Sequence, residues 1–157
     1  MSTPVKPIPD GFHTVTPYLS VKGAAKALDF YQRAFGATER FRMPGAEANS
    51  IAHAEFVIGD SIVMIADESP FGKSPLSLGG ISTSIALYVK DVDSFFKHAV
   101  DAGATITRPI QDQFYGDRSG SLVDPFGHHW HIMTHKEDVS PEEMNRRLAE
   151  MMVAAKT

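Results

Sequence analysis

The residues of this 157-residue chain whose types and spacing could do chemistry are two pairs, His53 with Glu55 and His129 with His131. Each pair is spaced by two, so on a strand both members share a face. A His beside a Glu can contact a polar ligand group, or move a proton if burial raises the carboxyl; it can equally be a solvent-linked polar pair. Two histidines on one face can begin a metal site, but other strands would have to supply the remaining ligands. In the run Gly127-His-His-Trp-His131, His128 belongs to a turn, and His135 lies beyond the strand end. His13 and His98 read as surface residues. Phe114-Tyr-Gly-Asp-Arg118 offers Tyr115 as an aromatic wall and Arg118 as an anion contact, or else Asp117 and Arg118 as braces of a turn. No Ser or Thr stands in a nucleophile-elbow context. Gly72-Lys-Ser74 matches the end of a phosphate-binding loop, but Asp67 stands where the first Gly should be, and Pro75 obstructs the helix that should follow.

Composition narrows the setting for this chemistry. The chain is 43% hydrophobic and 22% charged with a net charge of −4, which suits one domain or two small modules sharing a core. It has no cysteine, which excludes a disulfide scaffold, a zinc ribbon, an iron–sulfur protein and a cysteine nucleophile. With no basic block, a nucleic-acid partner is not expected. Residues 1–10 hold three prolines and no apolar run, and no stretch approaches a membrane span. A cytoplasmic protein without nucleic-acid or membrane partners is expected.

The elements that position these residues come from a weak internal repeat. Thr16-Pro-Tyr-Leu-Ser-Val21 precedes a helical pattern ending in Gly36-Ala-Thr38; Ser84-Ile-Ala-Leu-Tyr-Val89 precedes one ending in Gly103-Ala-Thr105. The first helix, about 23–35, aligns Ala24, Leu28, Tyr31 and Phe35. The second, about 92–102, starts at an N-cap, Asp91. Three strands follow each helix: about 39–42, 50–58 and 61–66 in the first half, then 105–109, 120–123 and 130–134 in the second. Gly59-Asp60 turns a hairpin, and Asp124-Pro-Phe-Gly127 turns before the last strand. Two βαβββ modules of an α+β fold follow, with curved mixed sheets around a cavity and helices on one face. The expected segments are an N-terminal extension (1–11), a first module (12–67), a linker or loop (68–80), a second module (81–135) and a C-terminal helix (136–157). In that helix Ser140 caps, Pro141 takes the first position, and Glu143 completes a capping box. Its stripe of Met144, Leu148, Met151, Met152 and Ala155 packs on its own domain or on a second subunit.

Alternation then lists the face away from the helices. In the first module it holds Thr16, Tyr18, Ser20, His53, Glu55, Ile62 and Met64, with Val15, Leu19 and Val21 toward the helix. In the second it holds Ser82, Ser84, Ala86, Tyr88, His129, His131 and Met133, with Trp130 and Ile132 in the core. Tyr, Met, Ser and Thr around a few His and Glu side chains suit a small organic molecule with apolar area and fixed polar contacts.

The paired βαβββ pattern, the Phe30-Tyr…Phe35-Gly-Ala helix end and the Asp124-Pro-Phe-Gly127 turn resemble the vicinal oxygen chelate superfamily over about residues 12–135. That superfamily includes glyoxalase I, extradiol dioxygenases and the fosfomycin- and bleomycin-resistance proteins. Ile51-Ala-His-Ala-Glu55, Met64-Ile-Ala-Asp67 and Phe114-Tyr-Gly-Asp-Arg118 look most like its PhnB-like branch. The resemblance implies a homodimer, sometimes with modules paired across chains. It also implies metal ligands at four strand positions, which match Thr16, Met64, Ser84 and His131 here. Only His131 is a usual ligand, so the inherited site reads as lost. The expected function is metal-independent binding of a small organic ligand through Tyr18, His53, Glu55, Met64, Ser84, Tyr88, Tyr115, Arg118, His129 and His131. The alternative is a lyase, isomerase or dioxygenase-type enzyme, using Glu55 or His53 as base or a rebuilt site for Zn, Ni, Mn or Fe from His53, Glu55 and His131.

Overall fold

The computed structural model describes residues 5–155; the first four residues of the N-terminal extension and the last two of the C-terminal segment lie outside them. The first module runs β1 (Tyr18–Val21), α1 (Ala24–Phe35), β2 (Thr38–Pro44), β3 (Ile51–Ile58) and β4 (Ser61–Asp67). A short helix, α2 (Pro75–Leu78), sits in the linker. The second module runs β5 (Ser84–Tyr88), α3 (Val92–Ala102), β6 (Thr105–Asp112), β7 (Asp117–Val123) and β8 (His129–His135), and α4 (Pro141–Ala154) ends the chain. Sheet 1 has the order β1-β4-β3-β2 and sheet 2 the order β5-β8-β7-β6. In each, the first and last strands of the module run parallel and the other pairs antiparallel. This is the expected α+β pair of βαβββ modules. Among the described residues no helix is long and apolar enough to cross a membrane.

Local chemistry accounts for the helix limits. Gly36 ends α1 at φ 64°, returning its N–H to Gln32 O, a left-handed conformation that glycine adopts without strain. Asp91 accepts from Asp93 N and Ser94 N at the start of α3. The start of α1 has no capping side chain of its own. Asp67, at the end of β4, reaches across instead and accepts from Gly23 N and Ala24 N, at 2.8 and 2.9 Å, and from Ile51 N at 2.8 Å. One carboxylate thus ties the helix to two strands and meets the partial positive charge at the helix N-terminus.

The core lies between the helices and the sheets, and the two helices also pack on one another. Phe35 of α1 stacks on Phe95 of α3 (5.5 Å, 7° between planes) and meets Trp130 of β8 at 4.6 Å. Asp124, in the turn before β8, is only 4% exposed. It accepts from Tyr31 Oη and Trp130 Nε1, both at 2.8 Å, and from the backbone N–H groups of Phe126 and His128. Burial first, then the Asp124 carboxylate, push the Tyr31 phenol well above its usual range, so it remains a donor.

Several expectations change. No strand of sheet 1 lies against a strand of sheet 2, so one chain does not close its sheets around a shared cavity. Val15 and Thr16 precede β1, and Val15 is exposed. Pro75 starts α2 rather than obstructing a helix, because its missing N–H is no loss at the first helical position. The capping box at α4 is half made: Ser140 Oγ accepts from Glu143 N, but the Glu143 carboxylate goes to Arg146 and Arg147. Among the described residues no residue of α4 is buried, and the helix backbone comes close to no other helix or strand. It is held by Arg147, which bonds Glu137 and the carbonyl of Phe114.

Candidate functional site

Each module leaves one sheet face away from the helices. On sheet 1 the hairpin register sets Glu55 opposite Met64 and Ala54 opposite Ile65, so Glu55, His53 and Met64 share the open face and Ile65 faces the core. There a hydrogen-bonded row forms. Tyr18 Oη and His53 Nδ1 are 3.0 Å apart, His53 Nε2 lies 3.6 Å from Glu55 Oε1, and Arg40 Nη1 donates to Glu55 Oε2 at 3.3 Å. The Tyr18 and His53 rings meet edge to face, and Phe41 flanks His53 at 6.2 Å. His53 and Glu55 are partly buried, while Tyr18 remains half exposed. Ile62, on the same face, is buried because the N-terminal segment reaches it at Gly11. Where β1 and β4 end, the face opens into a hollow of about 860 Å3 between the 45–50 loop and the start of the linker.

On sheet 2, β5 and β8 set Ser84 opposite His129, Ala86 opposite His131 and Tyr88 opposite Met133. β7 then sets Ser121 opposite His131 and Asp117 opposite His135. His129 is exposed at the start of β8. His131 Nδ1 and Ser121 Oγ are 2.9 Å apart. Tyr88 Oη donates to Asp117 at 2.9 Å, a bond that with desolvation raises its phenol, and Tyr115 stands near enough to add to the rise. Arg118 lies on the other face. Its neighbours in β7 parity are Gly120 and Leu122, and its guanidinium clasps Asp93 of α3 at 2.7 and 2.8 Å and Asp112 at 3.2 Å. It braces the start of α3 and does not join the open face.

Sequence reasoning gave Asp117 only the role of bracing a turn and set His135 beyond the strand end. Asp117 is buried and sits between Tyr88 and His135, whose Nδ1 is 2.7 Å away, and His135 Nε2 lies 2.9 Å from Asp138. Continuing the alternation from Ser121 back through Ser119 would have reached it. The hydrogen bond to Asp117, then that to Asp138, raises the imidazole above its ordinary 6.5. A raised histidine contributes stability that is present in full below its unfolded value of about 6.5 and is lost as pH rises through the higher folded value. Urea titrations of the wild type and His135→Gln are therefore expected to differ most below pH 6.5 and to converge at alkaline pH. A gap that widened with pH would contradict the ion-pair assignment.

The four candidate metal positions do not fit a metal ion. Thr16 donates its hydroxyl to His13 O at 3.1 Å, Met64 is a thioether, and His131, whose Nδ1 meets Ser121, is the one usual ligand of the four. Met64 and Ser84 stand on sheets that do not meet within the chain. Nor does one chain bring His131 to His53 and Glu55. Among the described residues no group of three or more His, Asp or Glu side chains is placed to hold a metal.

A family model for the Glyoxalase/Bleomycin resistance protein/Dioxygenase superfamily matches residues 11–132. The uncharacterized protein Rv0887c of Mycobacterium tuberculosis (strain H37Rv) is 42% identical over 140 residues, covering 86% of this chain and 82% of that protein. Among solved structures, TioX from Micromonospora sp. ML1 is similar with a TM-score of 0.63 and 26% identity, over 82% of this chain and all of its own. A PhnB protein from Bacillus cereus shares the fold at a TM-score of 0.60 and 20% identity, over 78% of this chain and 99% of its own.

Proposed function

The chain belongs to the glyoxalase/bleomycin resistance protein/dioxygenase superfamily, and from that premise we propose that it binds a small organic molecule without a metal ion, as a cytoplasmic homodimer. The ligand lies between the open face of sheet 1 in one chain and that of sheet 2 in its partner. The observation that carries the reading is the pair of open faces. Each bears aromatic and polar side chains suited to a ligand, and within the chain neither face lies against the other sheet. Tyr18, Phe41, Met43 and Tyr88 all stand exposed on them, an apolar area that a second copy would bury. Ligand contacts fall to Tyr18, His53, Glu55 and Met64 from one chain and Ser84, Tyr88, Tyr115, His129 and His131 from the other. Ile51-Ala-His-Ala-Glu55 supports a place near the PhnB-like branch.

A second reading rests on the row from Tyr18 through His53 to Glu55, which could carry a proton to or from a substrate, as in a lyase or isomerase. A thermal-shift screen of aromatic and polyfunctional metabolites in chelator tests the binding reading, since a ligand that binds only the folded state raises its stability. A rise in melting temperature in chelator is expected; rises seen only with added divalent ions would overturn it. Glu55→Gln separates the two readings. Binding alone predicts a weakened affinity and no turnover in either form, whereas a general base predicts turnover in the wild type that is lost by roughly 10²–10⁴-fold with binding retained.

A further inference from the structure

Resting on the reading of this chain as a small-molecule binder, we propose that the hollow at the end of sheet 1 takes a planar aromatic cation, held against the rings of Phe71 and Tyr18 and balanced by Glu47. Phe71 lines the hollow, and its side chain is 100% exposed. It does not sit on a slack loop. Ser69 and Gly72 exchange both backbone hydrogen bonds, at 3.0 and 3.2 Å, and Phe71 N donates to Ser69 Oγ at 3.1 Å. Gly72 lies so close to β1 that a Cβ there would press on the Ser20 hydroxyl, which docks the turn against the strand. At its base, Glu68 accepts from Ser74 N at 3.2 Å and Ser77 Oγ at 2.9 Å. These contacts fix the backbone of the turn that carries the exposed Phe71 ring beside the hollow. Tyr18, 54% exposed, supplies a second ring, its hydroxyl fixed by His53.

Charge selects among aromatic ligands. The hollow is lined by Glu47, Asp67 and Glu68 against Lys22 alone. Asp67 is consumed by three backbone N–H groups, and the Glu68 carboxyl is held below its usual range first by the Ser77 hydroxyl and the Ser74 N–H, with Lys22 adding a smaller attraction. Glu47 makes no ion pair among the described residues. Its loop is tied by local hydrogen bonds: Gly45 N donates to Ser50 O at 2.8 Å, Glu47 N donates to Ser50 Oγ, Ser50 Oγ donates to Glu47 O, and Asn49 holds φ 62°. A free carboxylate beside two exposed rings favours a cation over an anion of the same shape, by direct attraction and by cation–π contact.

The test is a fluorescence titration of the full chain in chelator with proflavine, a flat tricyclic cation. 8-Anilinonaphthalene-1-sulfonate serves as an anionic aromatic of similar size. Proflavine is expected to bind at least tenfold more tightly than the anion. Phe71→Ala should weaken proflavine at least tenfold and Glu47→Gln several-fold, both with unchanged melting curves, because neither side chain is part of the core. Equal proflavine affinity in Phe71→Ala, equal affinity for the two dyes, or no proflavine binding by the wild type would each overturn the proposal. The binding reading itself stands or falls separately, on whether any compound shifts the melting temperature in the ligand screen.

Discussion

Asp124→Ala is expected to remove about 3–5 kcal/mol of folding stability, the range for stripping one partner from a buried, charged hydrogen-bond network. The carboxylate accepts from four donors, two of them the side chains of Tyr31 and Trp130, which are wholly buried. Alanine leaves all four without an acceptor and opens a cavity where they converge; orphaned buried donors cost about 1–3 kcal/mol each, and these share one relaxation. Tyr31 comes from the first module and Trp130 from the second, so the loss falls where the modules join. Asp124→Asn keeps the shape but turns one acceptor into a donor facing N–H and O–H groups, and should fall between. Urea denaturation with unchanged m-value would report this. A loss below about 1 kcal/mol would mean that water enters and replaces the carboxylate.

The second large effect is on assembly. Met43 is 47% exposed on the open face of sheet 1, opposite His53. Met43→Glu should leave the isolated fold intact. Across a dimer, however, it would bury a carboxylate opposite His53, on the same face as Glu55, with no added cation. An uncompensated buried charge costs several kcal/mol, and each 1.4 kcal/mol is tenfold, so dimerisation should weaken by at least roughly 100-fold. In sedimentation at micromolar concentration the variant is expected at 17.2 kDa and the wild type at twice that mass. Equal masses for the two would remove sheet 1 from the interface.

The arrangement within each module was legible in the sequence because it rests on local signals. Period-two patterning put Glu55 opposite Met64, the Gly59-Asp60 hairpin set that register, and Gly36 and Gly103 stopped the helices. What was not legible depends on distant partners. Phe114-Tyr-Gly-Asp-Arg118 has the composition of a loop, yet the ladder with β8 extends β7 back to Asp117. That extension sets the parity that sends Asp117 to the open face and Arg118 to α3. The separation of the two open faces is likewise invisible to alternation, because it follows from α1 packing on α3 through Phe35 and Phe95. Nor could the stripe on α4 say what covers it: among the described residues none of its side chains is buried.

The central claim is a metal-free ligand site completed by two chains. Sedimentation of the wild type in chelator, with a compound from the ligand screen followed by its own absorbance, tests it most directly. The account predicts that the compound travels with a species of twice 17.2 kDa. A compound that travels with the single chain, or that joins the protein only after a divalent ion is added, would contradict it.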